Sequence, residues 1–308
     1  MIGDVACAEE PVVASDRLFE IVAFRTFSKI ATWEGLKAEL GGRPTITHLA
    51  DGSFKAALDR IKGAHSGLYT GAFILCANKA FGYDEKHHNH VALFNRMFVE
   101  DNLARRLLDA RSLKMVVELL QSYPLMGPFM AYQTAVDLNY SDLLAFSEND
   151  FTQAGPGALR GIRKAFEDPG DYSPEEIILW MTEQQHREFD HLGLPFNGLF
   201  GRPLHAIDCQ GLFCELDKYC REAAPELSSA RSRIKARYTP SCEPITLAFP
   251  RTWGLCPTAR VLPPPRSETV AQLCFALDDP RPPAAGLARG TPRIKEREPI
   301  TTGDLFLR

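Results

Sequence analysis

Hydrophobic positions between residues 16 and 225 recur every three to four residues, which is the spacing of amphipathic helices. Residues 16–40 begin with an aspartate in a capping position, followed by Leu18, Ile21, Val22, Phe24 and Phe27. Residues 103–123 predict a second long helix, and only residues 44–49 resemble a strand. Helix after helix with short turns between them predicts an all-α fold.

The pattern changes near residue 225. Residues 226–308 contain 12 of the 22 prolines and keep neither a helical nor a strand period. Such a segment buries too little apolar surface to offset the entropy of ordering, so we predict a largely disordered tail. Short apolar pieces at 245–249 and 270–277 are the candidates for local packing. The predicted organisation is a flexible N-terminus (1–15), a helical domain (16–225) and the tail (226–308).

Charge is distributed unevenly along the chain. Residues 1–225 carry 22 Lys/Arg against 31 Asp/Glu, a net −9, whereas residues 226–308 carry 13 against 8, a net +5. Affinity for nucleic acid comes mainly from cations that neutralise phosphates, so DNA binding requires a local basic patch or help from the tail. The acidic body leaves open a helical interaction domain with no nucleic-acid role.

Other compositional signals narrow the location and the chemistry. No apolar run reaches 18 residues, which predicts no membrane span. The first residues lack the pattern of a secretory signal, so we expect an intracellular protein, nuclear if eukaryotic, with reduced cysteines. The spacings of Cys209, Cys214 and Cys220 fit no metal clip, and the histidines at 87–90 and at 186 and 191 give only weak metal signals. We therefore predict neither a metal nor a cofactor.

Residues 122–132 predict a helical hairpin with a tight turn. Gly127 permits close approach of another molecule, and Pro128 suits the first turn of a helix. Backbone N–H groups at such a helix start, together with the helix dipole, can hold a DNA phosphate, so Met126, Gly127 and Pro128 are candidate DNA contacts. The alternative is an ordinary αα-hairpin within a bundle.

A second glycine-rich turn follows at residues 146–164. Gly155 and Gly157 stand at the mouth of a predicted helix, and Arg160, Arg163 and Lys164 are assigned to its first turns. Cations there oppose the dipole unless an anion is bound, which favours a phosphate; simple solvation of exposed charges is the alternative. Asp150, 23 residues after Gly127, is either a catalytic carboxylate or a helix cap.

These segments resemble the helix-hairpin-helix DNA glycosylase superfamily. More specifically, they are similar to the helical domain of 5-hydroxymethyldeoxyuridine DNA kinases and of α-glutamyl/putrescinyl thymine pyrophosphorylases. The similar blocks are residues 24–34, 69–74, 127–133, 137–140, 150–162 and 214–219. The resemblance implies a DNA-glycosylase-like helical domain with a disordered Pro/Arg-rich tail. No GxxxxGK[ST] motif occurs in the sequence.

The resemblance also implies a function and a base pocket. We expect a DNA glycosylase-like enzyme that uses Asp150 on a hypermodified thymine in double-stranded DNA, by base excision or by substitution at the 5-methylene. An everted base requires aromatic faces and polar groups. The candidates are Arg25, Trp33, Tyr69, Thr70, Tyr132, Glu215, Lys218 and Tyr219. The alternative is a non-catalytic recognition module that partners a separate DNA base kinase.

Overall fold

The computed structural model describes residues 2–9, 12–64, 67–71, 79–224, 226–227, 245–255 and 259–260. Its α-helices are α1 Ala14–Phe27, α2 Ile30–Leu40, α3 Ile46–Ala50, α4 Ser53–Ala64, α5 Lys86–Phe94, α6 Leu103–Leu108, α7 Leu113–Gln121, α8 Pro128–Asn139, α9 Pro156–Ala165, α10 Pro174–His191 and α11 Ala206–Ala223. π-Helical turns span Ile2–Ala6 and Asn95–Glu100, and a 3-10 turn spans Arg251–Trp253. Two short strands, β1 Ile245–Thr246 and β2 Ala259–Arg260, pair antiparallel. The domain is therefore helical, as predicted. None of the helices in these ranges has the length and apolar character that crossing a bilayer requires.

Helix α1 lies at the centre of the larger core. Ten of its fourteen residues are buried, and Phe19 packs edge-to-face against Phe54, Phe94 and Phe98. Helix α8 crosses α1 and is buried over most of its own length. A helix that is buried around most of its circumference allows one core to serve α1 through α8.

Three sequence-based boundaries were wrong. Residues 16–40 form two helices, because Ser28 adopts a left-handed conformation (φ 47°) that ends α1. Residues 103–123 also break in two, with Ser112 capping α7 through its side chain. The strand expected at 44–49 is instead the start of α3, which Thr45 opens with a capping box. In each case a local cap overrides the periodicity of the hydrophobic pattern.

A second, smaller core joins α9, α10 and α11. It contains Ala158, Ile162, Ile177, Ile178 and Phe213, and no residue of it comes from α1–α8. Two glycines four residues apart allow α9 to approach α11 closely. A Cβ atom at Gly157 would lie 2.4 Å from the Cys214 Sγ, and one at Gly161 would lie 1.9 Å from the Phe213 carbonyl oxygen. The backbones therefore pack in direct contact.

Segments outside the main helices also pack on this body. Within the predicted flexible N-terminus, Val5 is fully buried and its carbonyl accepts a hydrogen bond from Arg17. Within the predicted tail, Trp253 donates a 2.6 Å hydrogen bond to Glu148, and the Arg202 guanidinium lies 3.7 Å from its ring centroid. The apolar piece at 270–277 lies outside the described residues.

Candidate nucleic-acid interface

Helices α7 and α8 form the predicted hairpin. Gly127 is the N-cap of α8 and Pro128 its first residue, both exposed, and a Cβ at Gly127 would meet no atom within 4 Å. No side chain in the described part of the chain caps this helix. The positive end of the helix dipole therefore lies at an exposed surface, where it favours an anion. Met126, by contrast, is only 4% exposed and belongs to the core.

The second glycine turn adjoins the first. The Phe129 ring lies 2.6 Å from where a Cβ of Gly155 would stand, so the starts of α8 and α9 are neighbours. The start of α9, however, already has a carboxylate beside it. Glu175 accepts hydrogen bonds of 2.8 Å from the Ala154 N–H and 2.7 Å from the Gln153 side chain. A carboxylate of the protein therefore already lies beside the start of α9, which makes the exposed start of α8 the better candidate for a phosphate.

The buried carboxylate of Asp217 forms ion pairs with cations of α9 and α11. The Asp217 side chain is 0% exposed and is bound by Arg160 at 2.9 Å, by Lys164 at 3.0 Å and by Arg221. Burial alone raises the pKa of Asp217, but hydrogen bonds from Arg221, Lys164 and Arg160 dominate and lower it to about 2. Three cations thus share this one carboxylate. We call Asp217, Arg160, Lys164 and Arg221 the Asp217 cluster.

The sequence placed Arg160, Arg163 and Lys164 in the first turns of a helix and explained them by a bound phosphate. The structure corrects this explanation for two of the three. Helix α9 ends at Ala165, so Arg163 and Lys164 lie in its last turn, where the dipole favours positive charge. The anion that holds Arg160 and Lys164 in the described structure is Asp217. Arg163 is exposed, and no ion pair to it occurs among the described residues. Contact of Arg160, Arg163 and Lys164 with DNA stays a prediction.

Asp150 lies on the surface of the loop that joins α8 to α9. Its backbone N–H donates a 3.4 Å bond to the Ser147 carbonyl, and its side chain is exposed. The neighbouring Asn149 performs the capping role considered for this loop, since its Oδ1 accepts a 3.0 Å bond from the N–H of Ala206 at the start of α11. No described side chain pairs with the Asp150 carboxylate.

Three of the expected base-pocket residues belong to the core instead. Arg25 binds Asp137 through both guanidinium branches, one at 2.5 Å, and Asp137 is 1% exposed. Trp33 packs edge-to-face on Phe24. Tyr132 is fully buried and accepts a 3.2 Å bond from the Thr152 hydroxyl. Buried aromatic rings held this way are not accessible to stack on a base.

The remaining pocket candidates lie on two different parts of the surface. Glu215 and Lys218 form an exposed 2.5 Å ion pair on α11, next to Tyr219, which is 61% exposed. Tyr69 and Thr70 lie between α4 and α5, where the Thr70 N–H donates to the Phe27 carbonyl. The structure gives no contact between the two groups, so the predicted single pocket is not formed by these side chains.

Tyr69 lines an open pocket of about 220 Å³ together with Lys62, Gly67, Leu68, Glu85, Lys86 and His87. The Tyr69 hydroxyl bonds the Nδ1 atom of His90 at 2.6 Å, and the Lys86 ammonium lies 4.0 Å from the centre of the tyrosine ring. Burial raises the pKa of Tyr69, which keeps the phenol neutral. An aromatic face and two lysines are suited to a nucleotide.

Two of the histidines that gave a weak metal signal in the sequence form a cluster with a carboxylate beside this pocket. His87 and His88 both place Nε2 at 2.7 Å from the same oxygen of Asp59, which lies on α4. Burial lowers the pKa of His87. Partial burial raises the pKa of Asp59, but hydrogen bonds from His87, His88 and Lys55 bring it well below its ordinary value. Asp59 and His87 lie 28 positions apart in the sequence, so the spacing of the histidines could not indicate this carboxylate.

Comparison with known proteins identifies the family. The family model described as "5-hmdU DNA kinase, helical domain" matches residues 1–229, which include all eleven α-helices. The chain belongs to this family. The 5-hmdU DNA kinase of Bacillus phage SP10 is 27% identical over 186 residues, which cover 56% of this chain and 29% of the phage protein. The chain thus spans under a third of that relative's length. No solved structure matches it significantly.

These comparisons correct the predicted function. Both the 5-hmdU DNA kinase helical-domain model and the phage relative name a kinase, so the expected DNA glycosylase-like activity, by excision or by substitution, is wrong. The role of Asp150 as the catalytic carboxylate of that activity is therefore withdrawn. The alternative was a module that partners a separate DNA base kinase. The comparisons support the link to a DNA base kinase, but they do not show that the kinase is a separate chain. The link to hydroxymethyluracil and to DNA modification is confirmed at the level of the family.

Proposed function

We propose that this chain acts in the phosphorylation of 5-hydroxymethyldeoxyuridine in DNA and that its helical domain binds the DNA substrate. The observation that carries the proposal is the family match over residues 1–229, because it coincides with the helical body. The phage 5-hmdU DNA kinase supports the same reaction, although the similarity reaches only part of that protein.

The proposed reaction is a phosphoryl transfer. The oxygen of the 5-hydroxymethyl group attacks the γ-phosphorus of a nucleoside triphosphate, and the bond from that phosphorus to the β–γ bridging oxygen breaks. A nucleoside diphosphate leaves, and the hydroxyl proton passes to a base or to water. Such reactions depend mainly on positioning and on charge neutralisation, so a domain that holds the DNA in place contributes directly to the rate.

Two features of the geometry favour a DNA surface near α8 and α9. The exposed start of α8 carries the positive end of the helix dipole, which favours an anion. Arg160, whose side chain is 26% exposed, and the exposed Arg163 place positive charge on the accessible side of α9. Since the body as a whole is acidic, this local basic surface is where phosphates are expected to bind.

The test combines transfer and binding measurements on the purified chain. Duplexes containing 5-hydroxymethyldeoxyuridine or thymidine are incubated with Mg²⁺ and γ-labelled ATP, and the released nucleosides are weighed by mass spectrometry. We expect labelled phosphate on the hydroxymethyl nucleoside alone. Fluorescence anisotropy is expected to show DNA affinity that falls steeply as salt rises, because phosphate contacts release counterions.

A matched pair of variants tests the proposed DNA surface. Arg163→Gln removes an exposed cation of α9, and we expect it to weaken DNA binding about three- to tenfold and to flatten the salt dependence by about one ion. Arg105→Gln, a highly exposed cation on α6, serves as the control and should change little. Equal losses in both variants would remove α9 from the interface. Base release without phosphate transfer, or no salt-dependent DNA binding, would overturn the function.

A further inference from the structure

We propose that Asp59, His87 and His88 form a binding site for a divalent transition metal of the zinc type. One ligand atom from each residue lies within 4.8 Å of the other two, the one such group found in the described part of the chain. The donor set is two imidazole nitrogens and one carboxylate oxygen, a combination that Zn²⁺ and related ions prefer. This inference stands apart from the proposed phosphorylation reaction.

The three donors already converge on one point. His87 Nε2 and His88 Nε2 are each 2.7 Å from Asp59 Oδ1. In a tetrahedral zinc site with bonds of about 2.0–2.1 Å, neighbouring ligand atoms stand about 3.3 Å apart. The ligands therefore need to separate by only about half an ångström to admit an ion, which small side-chain rotations can provide.

The residues around the donors are arranged as outer partners. Asp59 Oδ2 binds the Lys55 ammonium at 3.0 Å, which leaves Oδ1 for the ion. Glu85 Oε2, which also binds Lys62, lies 3.7 Å from His87 Nδ1, so a small rotation would let it accept the proton that Nδ1 carries once Nε2 coordinates a metal. Carboxylates that accept the second N–H of a ligating histidine fix its tautomer and strengthen it as a ligand. Tyr83 packs edge-to-face on the His88 ring and holds its orientation.

The proposed site would link two helices that are separated along the chain. Asp59 belongs to α4, whereas His87 and His88 stand at the beginning of α5. Three protein ligands leave a fourth position for water or a substrate oxygen, which is the pattern of zinc sites that remain open to exchange. His87 is 3% exposed and His88 19%, so the ion would lie at the rim of the core and within reach of solvent.

The experiment measures zinc bound by the full chain. After removal of metals with a chelator and dialysis against Zn²⁺, elemental analysis is expected to find one ion per chain. His88→Gln and Asp59→Asn should each weaken zinc binding tenfold or more. His191→Gln, whose side chain is 82% exposed on α10, is the matched control and should bind like the parent. Millimolar Mg²⁺ should not displace the ion, since Mg²⁺ prefers oxygen ligands.

X-ray absorption at the zinc edge on the parent chain provides a test that depends on no variant. We expect a first shell of two imidazole nitrogens and one or two oxygens, at about 2.0–2.2 Å from the zinc. Absence of bound zinc in the parent, retention of zinc by both ligand variants, or a sulfur shell from cysteine would each overturn the proposal. Circular dichroism in excess chelator should give the same helical signal for His88→Gln and the parent, so that lost zinc reports on ligation and not on unfolding.

Discussion

Replacing Asp217 with asparagine is expected to lower the free energy of unfolding by about 3 kcal/mol, because three cations would lose their shared counter-charge in a buried site. Asparagine has nearly the same shape and keeps an oxygen that accepts hydrogen bonds, so the loss reports on charge. Urea denaturation followed by circular dichroism measures the change. A loss below about 1 kcal/mol would mean that the cations find solvent or other anions without Asp217.

The control for this variant lies two residues away. Glu215→Gln breaks an exposed ion pair with Lys218 on the same helix and should cost less than about 1 kcal/mol. The two variants should also differ in acid. Since the folded-state pKa of Asp217 is lowered to about 2, its contribution is complete above the ordinary carboxyl pKa and is lost as the pH falls toward 2. The stability of Asp217→Asn should therefore depend less on pH in that window.

Replacing Gly161 with alanine is expected to cost about 2–3 kcal/mol. The new methyl group would lie 1.9 Å from the Phe213 carbonyl oxygen, so α9 and α11 must move apart and the packing between them is lost. The higher helix propensity of alanine, about 1 kcal/mol, offsets part of this cost. Thermal and urea unfolding measure the difference, and the smaller core of α9, α10 and α11 should unfold first.

Gly211→Ala is the matched control for the helix contact. Gly211 lies in α11, and a Cβ there would meet no atom within 4 Å. Alanine should therefore leave stability unchanged or raise it by up to about 1 kcal/mol, through helix propensity alone. If Gly161→Ala behaved in the same way, the close approach of α9 to α11 would be wrong, because no helix pair tolerates a methyl group inside a backbone contact.

The helical class and the hairpin were predictable from local information. Hydrophobic periodicity identifies helices wherever one face is buried, and the Gly127–Pro128 pair marks the start of α8 by its backbone preferences. The similarity to 5-hmdU DNA kinases was also present in the sequence blocks, although the glycosylase chemistry drawn from the wider resemblance was wrong. Similarity in a few sequence blocks does not establish a shared reaction.

What the sequence determined by itself is therefore the helical class, the glycine turns and the family, all of which depend on neighbouring residues or on direct similarity. Only the tertiary structure decided which charges meet. Arg160 binds Asp217, which lies 57 positions later in the sequence, and His87 binds Asp59, which lies 28 positions earlier. Charged side chains carry no periodic signal of their partners, because an ion pair depends on distance in space, which only the packing of α4 on α5 and of α9 on α11 sets.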